Sequence, residues 1–424
     1  MRVLLTTFEG GGHVAPALLF GRALKALGHA VLVLSDEANR AAAQAHGLAF
    51  QPWRTAPNRA AVGQSDDPLD DWRHRWPPAV VKAICRAVMT APAGAYAADT
   101  LAAIEEFAPD VVVSNELLFG AMMAAERSRV PLALFSASVW CFPTRDDVPP
   151  FGPGFAPACS DLARQREATV RRMIAHWYDV GLDDLNGARR SIGLAPLARC
   201  LDQLEAAGLV VLGTSAAFDY GRPRQVGRFL YAGPLLGEDA TPPAAHPLID
   251  PARANVLVSF STTYQGQEKA IARCIAALGD LPVRGIVTLG PAVPLAALST
   301  TAAPDNVAVV AYADHRAIVP YCRAVICHGG HGTVLRPLMR GVPVVCFTMG
   351  RDHAENAQRL VSRGAGVRLR RGAGVWRIRR AISRILSEPG FAQSSGSLGR
   401  QITAERDDGT RAAQALERFG AAKS

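Results

Sequence analysis

The chain of 424 residues is 49% apolar and 20% charged, with a formal net charge of +9. That length exceeds one ordinary domain and predicts two of about 200 residues each, both with sizeable cores. No apolar run reaches the roughly 18 residues of a membrane span, so no stable membrane insertion is expected.

Met1 leads directly into Val3-Leu4-Leu5 and then glycines, without the features of a signal peptide, and the tail after Arg406 is polar. The eight cysteines show no CxxC or Cys/His ligand spacing, and Cys327 and Cys346 lie in apolar runs. Reduced, buried thiols in a cytoplasmic protein are therefore expected, and no metal site. Positive charge is densest at Arg368, Arg370, Arg371, Arg377, Arg379 and Arg380, which reads as a solvated helix face. Aromatic interleaving is missing, so no nucleic-acid partner is expected, although a positive surface helps to collect an anionic nucleotide.

In chain order, a strand over Arg2–Phe8 passes through Glu9-Gly10-Gly11-Gly12 into a helix from Val14. The helix stops at Gly28 and a strand follows over Ala30–Leu34. Strand, helix and strand within about 35 residues form a βαβ crossover, hence a parallel sheet. The unit recurs at Asp110–Val113 and Leu132–Phe135. Residues 51–90 depart from it, with Trp53, Trp72 and Trp76 among prolines and charges. So do residues 140–200, with Pro149-Pro150-Phe151-Gly152-Pro153-Gly154 and then a helical run containing Trp177. Insertions of this size on a repeating scaffold commonly carry substrate selection, although aromatic residues at helical spacing also build cores. Tyr231 to Arg253 reads as a Pro- and Gly-rich linker. Strands resume at Val256–Phe260, Val283–Thr288, Val307–Val310, Ala324–Cys327 and Val344–Phe347, with the short Val/Ile/Leu runs of buried parallel strands. Two doubly wound α/β domains follow, with ligands expected at the carboxyl ends of their strands.

Three places carry chemistry. The turn His328-Gly329-Gly330-His331-Gly332-Thr333 aims backbone N–H groups and a helix dipole at one point, which suits a diphosphate. Its glycines permit close approach, and His328 and Thr333 add side-chain donors. Pro337 falls inside the helix that this turn should open, so the helix either begins late or is kinked. Asp352 and His353 follow the next strand, with Glu355 and Asn356 one turn on. Asp352 can accept from adjacent sugar hydroxyls or can cap the helix. His13, after the glycines of the first βα turn, is placed to take a proton from an attacking hydroxyl.

These residues resemble those of family 1 glycosyltransferases of the bacterial natural-product type, and the likeness spans nearly the whole chain. Gly12-His13-Val14-Ala15-Pro16 is similar to the family's GHxxP, Pro149 to Phe155 to its PPxGPG loop. His328 to Thr333, Gly341-Val342-Pro343 and Asp352 to Asn356 are similar to HGGxGT, GVP and DQxxNA. The resemblance implies the GT-B fold, with two Rossmann-like domains facing across a cleft. Residues 1–231 would form an acceptor-binding domain, 232–253 a linker, 254–402 a nucleotide-sugar-binding domain, and 403–424 a helix packing back on the first. It implies an inverting, metal-independent transfer from a UDP- or dTDP-sugar co-substrate to a hydroxyl of an apolar aglycone, with His13 as general base. Donor contacts would come from Ser259, Ser261, Thr262, Tyr312, His328, Gly329, Gly330, His331, Gly332, Thr333, Asp352, His353 and Asn356. The acceptor would meet Trp72, Trp76, Phe119, Trp140, Phe142, Phe151 and Trp177. A homodimer is compatible with this reading.

The sequence departs from the family at three points. His353 replaces the usual sugar-contacting Gln, and Asp314 replaces a Pro in the base-binding turn. Where a carboxylate normally orients the catalytic His, the chain has Ser114-Asn115-Glu116, leaving Asn115 or Glu116 for that role. Two other readings compete. One is an NAD-dependent oxidoreductase, suggested by the first glycine turn and Asp36-Glu37, but GxGxxG spacing is missing. The other is a non-catalytic, glycosyltransferase-like partner protein, which would be free to lose residues retained here.

Overall fold

The computed structural model describes residues 1–61, 71–74, 76–237, 244–260, 264–290, 293–298 and 303–421. Its N-terminal half contains β1 (Arg2–Thr6), α1 (Val14–Ala26), β2 (Ala30–Ser35), α2 (Arg40–Ala45), β3 (Ala49–Pro52), α3 (Pro77–Ile84), α4 (Ala93–Phe107), β4 (Val111–Asn115), α5 (Phe119–Ser128), β5 (Leu132–Ser136), α6 (Asp161–Trp177), α7 (Leu182–Ser191), β6 (Leu209–Leu212), β7 (Gln225–Val226) and β8 (Phe229–Tyr231). The C-terminal half contains β9 (Ala254–Ser259), α8 (Glu268–Gly279), β10 (Val283–Thr288), β11 (Val307–Val310), β12 (Cys322–Cys327), α9 (His331–Met339), β13 (Val344–Thr348), α10 (His353–Ser362), β14 (Gly366–Arg370), α11 (Val375–Ser387), α12 (Pro389–Glu405) and α13 (Thr410–Ala421).

The first sheet runs β3-β2-β1-β4-β5-β6-β8-β7 and the second β11-β10-β9-β12-β13-β14. Only the β7–β8 pair is antiparallel among the described strands. Each order reverses direction beside its first strand, which opens a crevice at the carboxyl end of β1 and of β9. The central strands are buried on both faces, as Val111-Val112-Val113 and Val256-Leu257-Val258 require.

The strands expected at 283–288 and 307–310 have those bounds, and the others shift by one or two residues. The outer strands β3 and β14 had no signal in the sequence. Ala49-Phe50-Gln51-Pro52 ends in a proline, and Gly366-Val367-Arg368-Leu369-Arg370 alternates apolar and basic residues. Both are edge strands, where polar residues and proline are tolerated. The helix α9 starts at the glycine turn, and Pro337 sits inside it, two residues before its end. The helix therefore does not begin late.

Two of the ties between the halves lie outside the cleft. At the end of the chain α13 returns to the N-terminal half and packs on α1, placing Ala412, Ala413 and Leu416 in the same core as Leu18, Phe20 and Leu24. The segment after β8 is also anchored, with Ala232 and Leu235 in that core. The second tie is ionic. Arg359 of α10 is 2% exposed and reaches Asp219 of the N-terminal half, itself 1% exposed. Its Nε donates to Asp219 Oδ1 at 2.8 Å and its Nη1 to Glu355 Oε2 at 3.0 Å. The guanidinium also lies over the Tyr220 ring, 4.6 Å from its centroid. Tyr231 Oη donates to the other oxygen of Asp219, and Arg145 Nη1 donates to Tyr231 Oη at 3.1 Å.

Deleting one member of such a cluster strands the opposite charge away from water, which costs about 3–5 kcal/mol. Arg359→Met should therefore lower thermal stability sharply. Asp219→Asn should cost less, because Arg359 keeps Glu355. Melting curves of the two variants would check this order.

Candidate functional site

Carboxyl ends of strands from the two sheets meet across the cleft. His331, the first residue of α9, sets its Nε2 2.7 Å from Thr214 Oγ1, two residues beyond β6. Ser138, two residues beyond β5, donates its hydroxyl to Asp352 Oδ2 at 2.7 Å. His328, Asp352, His353 and Asn356 lie beside these bridges.

The glycine turn is shaped by contacts below it. Gly329 has φ +95°, and a Cβ on it would lie 2.5 Å from Cys346 Sγ and 3.0 Å from His353 Cβ. Only glycine fits there. Asn356 Nδ2 donates to the Gly329 carbonyl at 2.9 Å and so fixes the turn from α10. Thr333 Oγ1 donates to the Gly330 carbonyl at 2.7 Å, inside the first turn of α9. Gly330 occupies the N-cap of α9, and no side chain caps that end, so the free N–H groups of the first turn remain for an anion.

Asp352 sits at the N-cap of α10, yet its side chain does not cap the helix. Its Oδ2 instead accepts from Ser138 and from Asn356 Nδ2 at 2.9 Å. That removes simple capping as the reason for the residue. His353 turns beneath the turn: it is 2% exposed, its Nδ1 accepts from the Met349 N–H at 3.3 Å, and its ring meets His328 edge-on at 4.8 Å. Burial and the charge of Arg351 push its pKa down to about 3. His331 is also pushed down, by burial first, to about 4. Burial, His353 and Arg351 hold His328 far below the ordinary imidazole value. Arg351, immediately before Asp352, has φ +48°, a left-handed conformation uncommon for a side chain of that size.

On the N-terminal side, His13 stands at the N-cap of α1 with its ring 4.6 Å from that of Phe8. Its Nε2 is sealed from solvent and has no hydrogen-bond partner among the described residues. Burial first, and then Arg351, lower its pKa to about 4, opposed by a backbone hydrogen bond at Phe8 and by Asp352. The influence of Arg351 and Asp352 places His13 within electrostatic reach of the C-terminal half.

Neither residue expected to orient His13 hydrogen-bonds it. Asn115 Oδ1 accepts from the Leu117 N–H at 2.9 Å and shapes its own turn. Glu116 Oε1 accepts from Ser136 Oγ at 2.8 Å, while Oε2 is buried without a partner among the described residues. Burial pushes the Glu116 carboxyl up to about 7, and Asp352 adds to the shift. At the cleft, four buried polar atoms thus lack partners among the described residues: His13 Nε2, Glu116 Oε2, His328 Nδ1 and Asn356 Oδ1. Buried polar atoms are rarely left so, and a group of them marks a place where a polar ligand would complete them.

The remaining residues fall into separate places. Ser259 ends β9 and is buried, while Ser261 and Thr262 lie outside the described residues. Tyr312, two residues past β11, is 79% exposed. Phe119, Trp140 and Phe142 are core residues packed with Tyr178 and Phe229. Phe151 and Trp177 are half-buried, Trp76 is exposed, and Trp72 meets Tyr264 of the C-terminal half edge-on at 4.9 Å. Sequence reading missed Ser138, Thr214, Asp219 and Arg359, which join the halves. Their partners lie more than a hundred residues away, so no local pattern announces them. Among the described residues no group of His, Cys, Asp and Glu could hold a metal ion, and no helix is long and apolar enough to cross a membrane.

Residues 273–418 match the family described as erythromycin biosynthesis protein CIII-like, C-terminal domain. The 4'-demethylrebeccamycin synthase of Lentzea aerocolonigenes is 30% identical over 418 residues, covering 96% of this chain and 96% of its own. Among solved structures, the kitacinnamycin glycotransferase superposes with a TM-score of 0.74 at 22% identity, over 99% of this chain and 98% of its own. The glycosyltransferase VinC in complex with dTDP gives 0.66 at 20% identity, over 99% of each chain. Two parallel sheets meeting at their carboxyl ends, and a relative of that identity over nearly its full length, lead to one conclusion: this chain belongs to the GT-B natural-product glycosyltransferases of antibiotic pathways.

Proposed function

We propose that the chain transfers a sugar, with inversion at the anomeric carbon, from a nucleoside diphosphate to a hydroxyl of an apolar natural-product aglycone, with His13 as general base. The observation that carries this is the unpartnered, buried Nε2 of His13 within electrostatic reach of Asp352. An acceptor hydroxyl donating to that atom would satisfy it and be poised to attack. The free N–H groups at the start of α9, between His328 and Thr333, would meet the charge of the leaving diphosphate. Asp352 would then meet the sugar and Asn356 lie near the phosphates, while His353, buried under the glycine turn, would support that turn rather than reach the sugar. Residues 1–231 would then take the acceptor and 254–402 the donor, closing about 232–253. The nucleotide would be UDP or dTDP; that the structural neighbour VinC holds dTDP supports the second.

A second reading has a specific observation behind it. With Glu116 pushed up to about 7 and His13 down to about 4, the carboxylate is the stronger base near neutral pH. The two readings give different pH profiles. A base must be unprotonated to act, so a His13 base with its pKa near 4 keeps kcat/KM flat from neutral pH down to about 5. A Glu116 base would give an acid limb near 7.

His13→Ala should reduce kcat by about 10²–10⁴-fold, the usual worth of a positioned base, while leaving dTDP binding unchanged. Unchanged turnover in that variant would remove His13 from the chemistry. Glu116→Gln should retain most of the rate. A melting-temperature series with dTDP, UDP, GDP and NAD should show stabilisation by dTDP or UDP alone, since a ligand that binds only the folded state raises stability by mass action.

A further inference from the structure

Glu355, in the first turn of α10, is 1% exposed and faces neither solvent nor the turn at 328–333. Its Oε1 accepts two backbone N–H groups from the other half of the molecule, Gly152 at 2.9 Å and Gly154 at 2.8 Å. Both glycines have positive φ, +124° and +63°, which turns their N–H groups toward one point. Such a nest of amides ordinarily holds an anion. Here the anion is a side chain of the opposite half.

The same loop is held at further points. Arg368 Nη1, on β14, donates to the Gly154 carbonyl at 3.1 Å. Tyr220 Oη, whose ring lies under Arg359, donates to the Phe155 carbonyl at 3.1 Å. A Cβ on Gly154 would lie 2.4 Å from the Ala354 carbonyl, so the loop sits directly on the start of α10. One turn back along that helix is Asp352, which Ser138 of the N-terminal half also grips. Residues three apart on a helix share a face, so the two carboxylates move together.

We propose that Glu355 is a positioning residue for the transfer. By fastening the Gly152–Phe155 loop to the first turn of α10, it makes nucleotide binding order the acceptor side of the cleft. A nucleotide held at the turn fixes α10 through Asn356, whose amide joins Gly329 to Asp352. Glu355 carries that constraint across to the loop. Donor and acceptor then bind with positive coupling, since a loop already ordered costs the second ligand less. This inference rests on the nucleotide assignment made above.

Backbone-amide exchange over residues 151–156, with and without dTDP or UDP, tests it. In the unaltered chain the nucleotide should slow exchange at 328–333 and 352–356. It should also slow the 151–156 amides by about fivefold or more, the lower range of ordinary coupling. Glu355→Ala should abolish the response of the loop while the turn at 328–333 still responds. The variant keeps Arg359 paired with Asp219, so the ionic tie between the halves persists. Glu355→Gln, which retains volume and one acceptor oxygen, should restore part of the response and serves where the Ala variant fails to fold. A lesion that is only structural would raise exchange of the loop equally in both states. That result, an equal response of the loop in either variant, or no response of the loop in the unaltered chain beside a responding turn, overturns the proposal. No response at 328–333 to either nucleotide overturns the donor assignment itself.

Discussion

A guanidinium removed from water holds this molecule in its working shape. Arg359 remains charged at 2% exposure because carboxylates reach it from both directions, Asp219 from one half and Glu355 from its own helix. Taking such charges out of water costs several kcal/mol per ion, and the attraction between them repays that only where geometry is good. The cluster therefore contributes little net stability and much specificity. It fixes which surface of α10 meets the N-terminal half, and with it the placement of Asp352 opposite Ser138. A pair of apolar faces would slide; a set of directional charges does not.

The chemistry of the cleft follows from the same exclusion of water. Burial is the first cause of the lowered pKa at His13, His328, His331 and His353, and each imidazole is kept neutral. Neutral rings can each accept one hydrogen bond and donate one N–H without adding charge, and Arg351 supplies positive charge beside them. Such a cleft favours a ligand that brings negative charge and hydroxyl groups together. The raised Glu116 is the counterpart, a carboxyl held near the point where it can change state at physiological pH.

Much of this was legible in the residues. Glycine turns after Val/Ile/Leu runs located both crevices, because a buried parallel strand has almost no other way to look. His13, the turn at 328–333 and Asp352 could be singled out as candidates because each lies within a few residues of a strand end. The partners across the cleft were not. Asp219-Tyr220 looks like any polar loop, and only the fold brings it to Arg359. Trp140 and Phe142 show a limit of another kind. An aromatic cluster in an insertion suggests a ligand, but here the rings pack on Tyr178 and Phe229. The inward turn of His353 could not be foreseen either, since it depends on Gly329 leaving room above it.

The return of α13 to α1 has a consequence for how the chain is made. The first half of the sequence is not a complete folding unit, because Ala412, Ala413 and Leu416 fill its core beside Phe20 and Leu24. During synthesis, α1 therefore leaves the ribosome with one apolar flank bare. That flank stays uncovered through translation of nearly four hundred further residues. For that interval the nascent N-terminal half is an aggregation hazard whose natural shield has not yet been made.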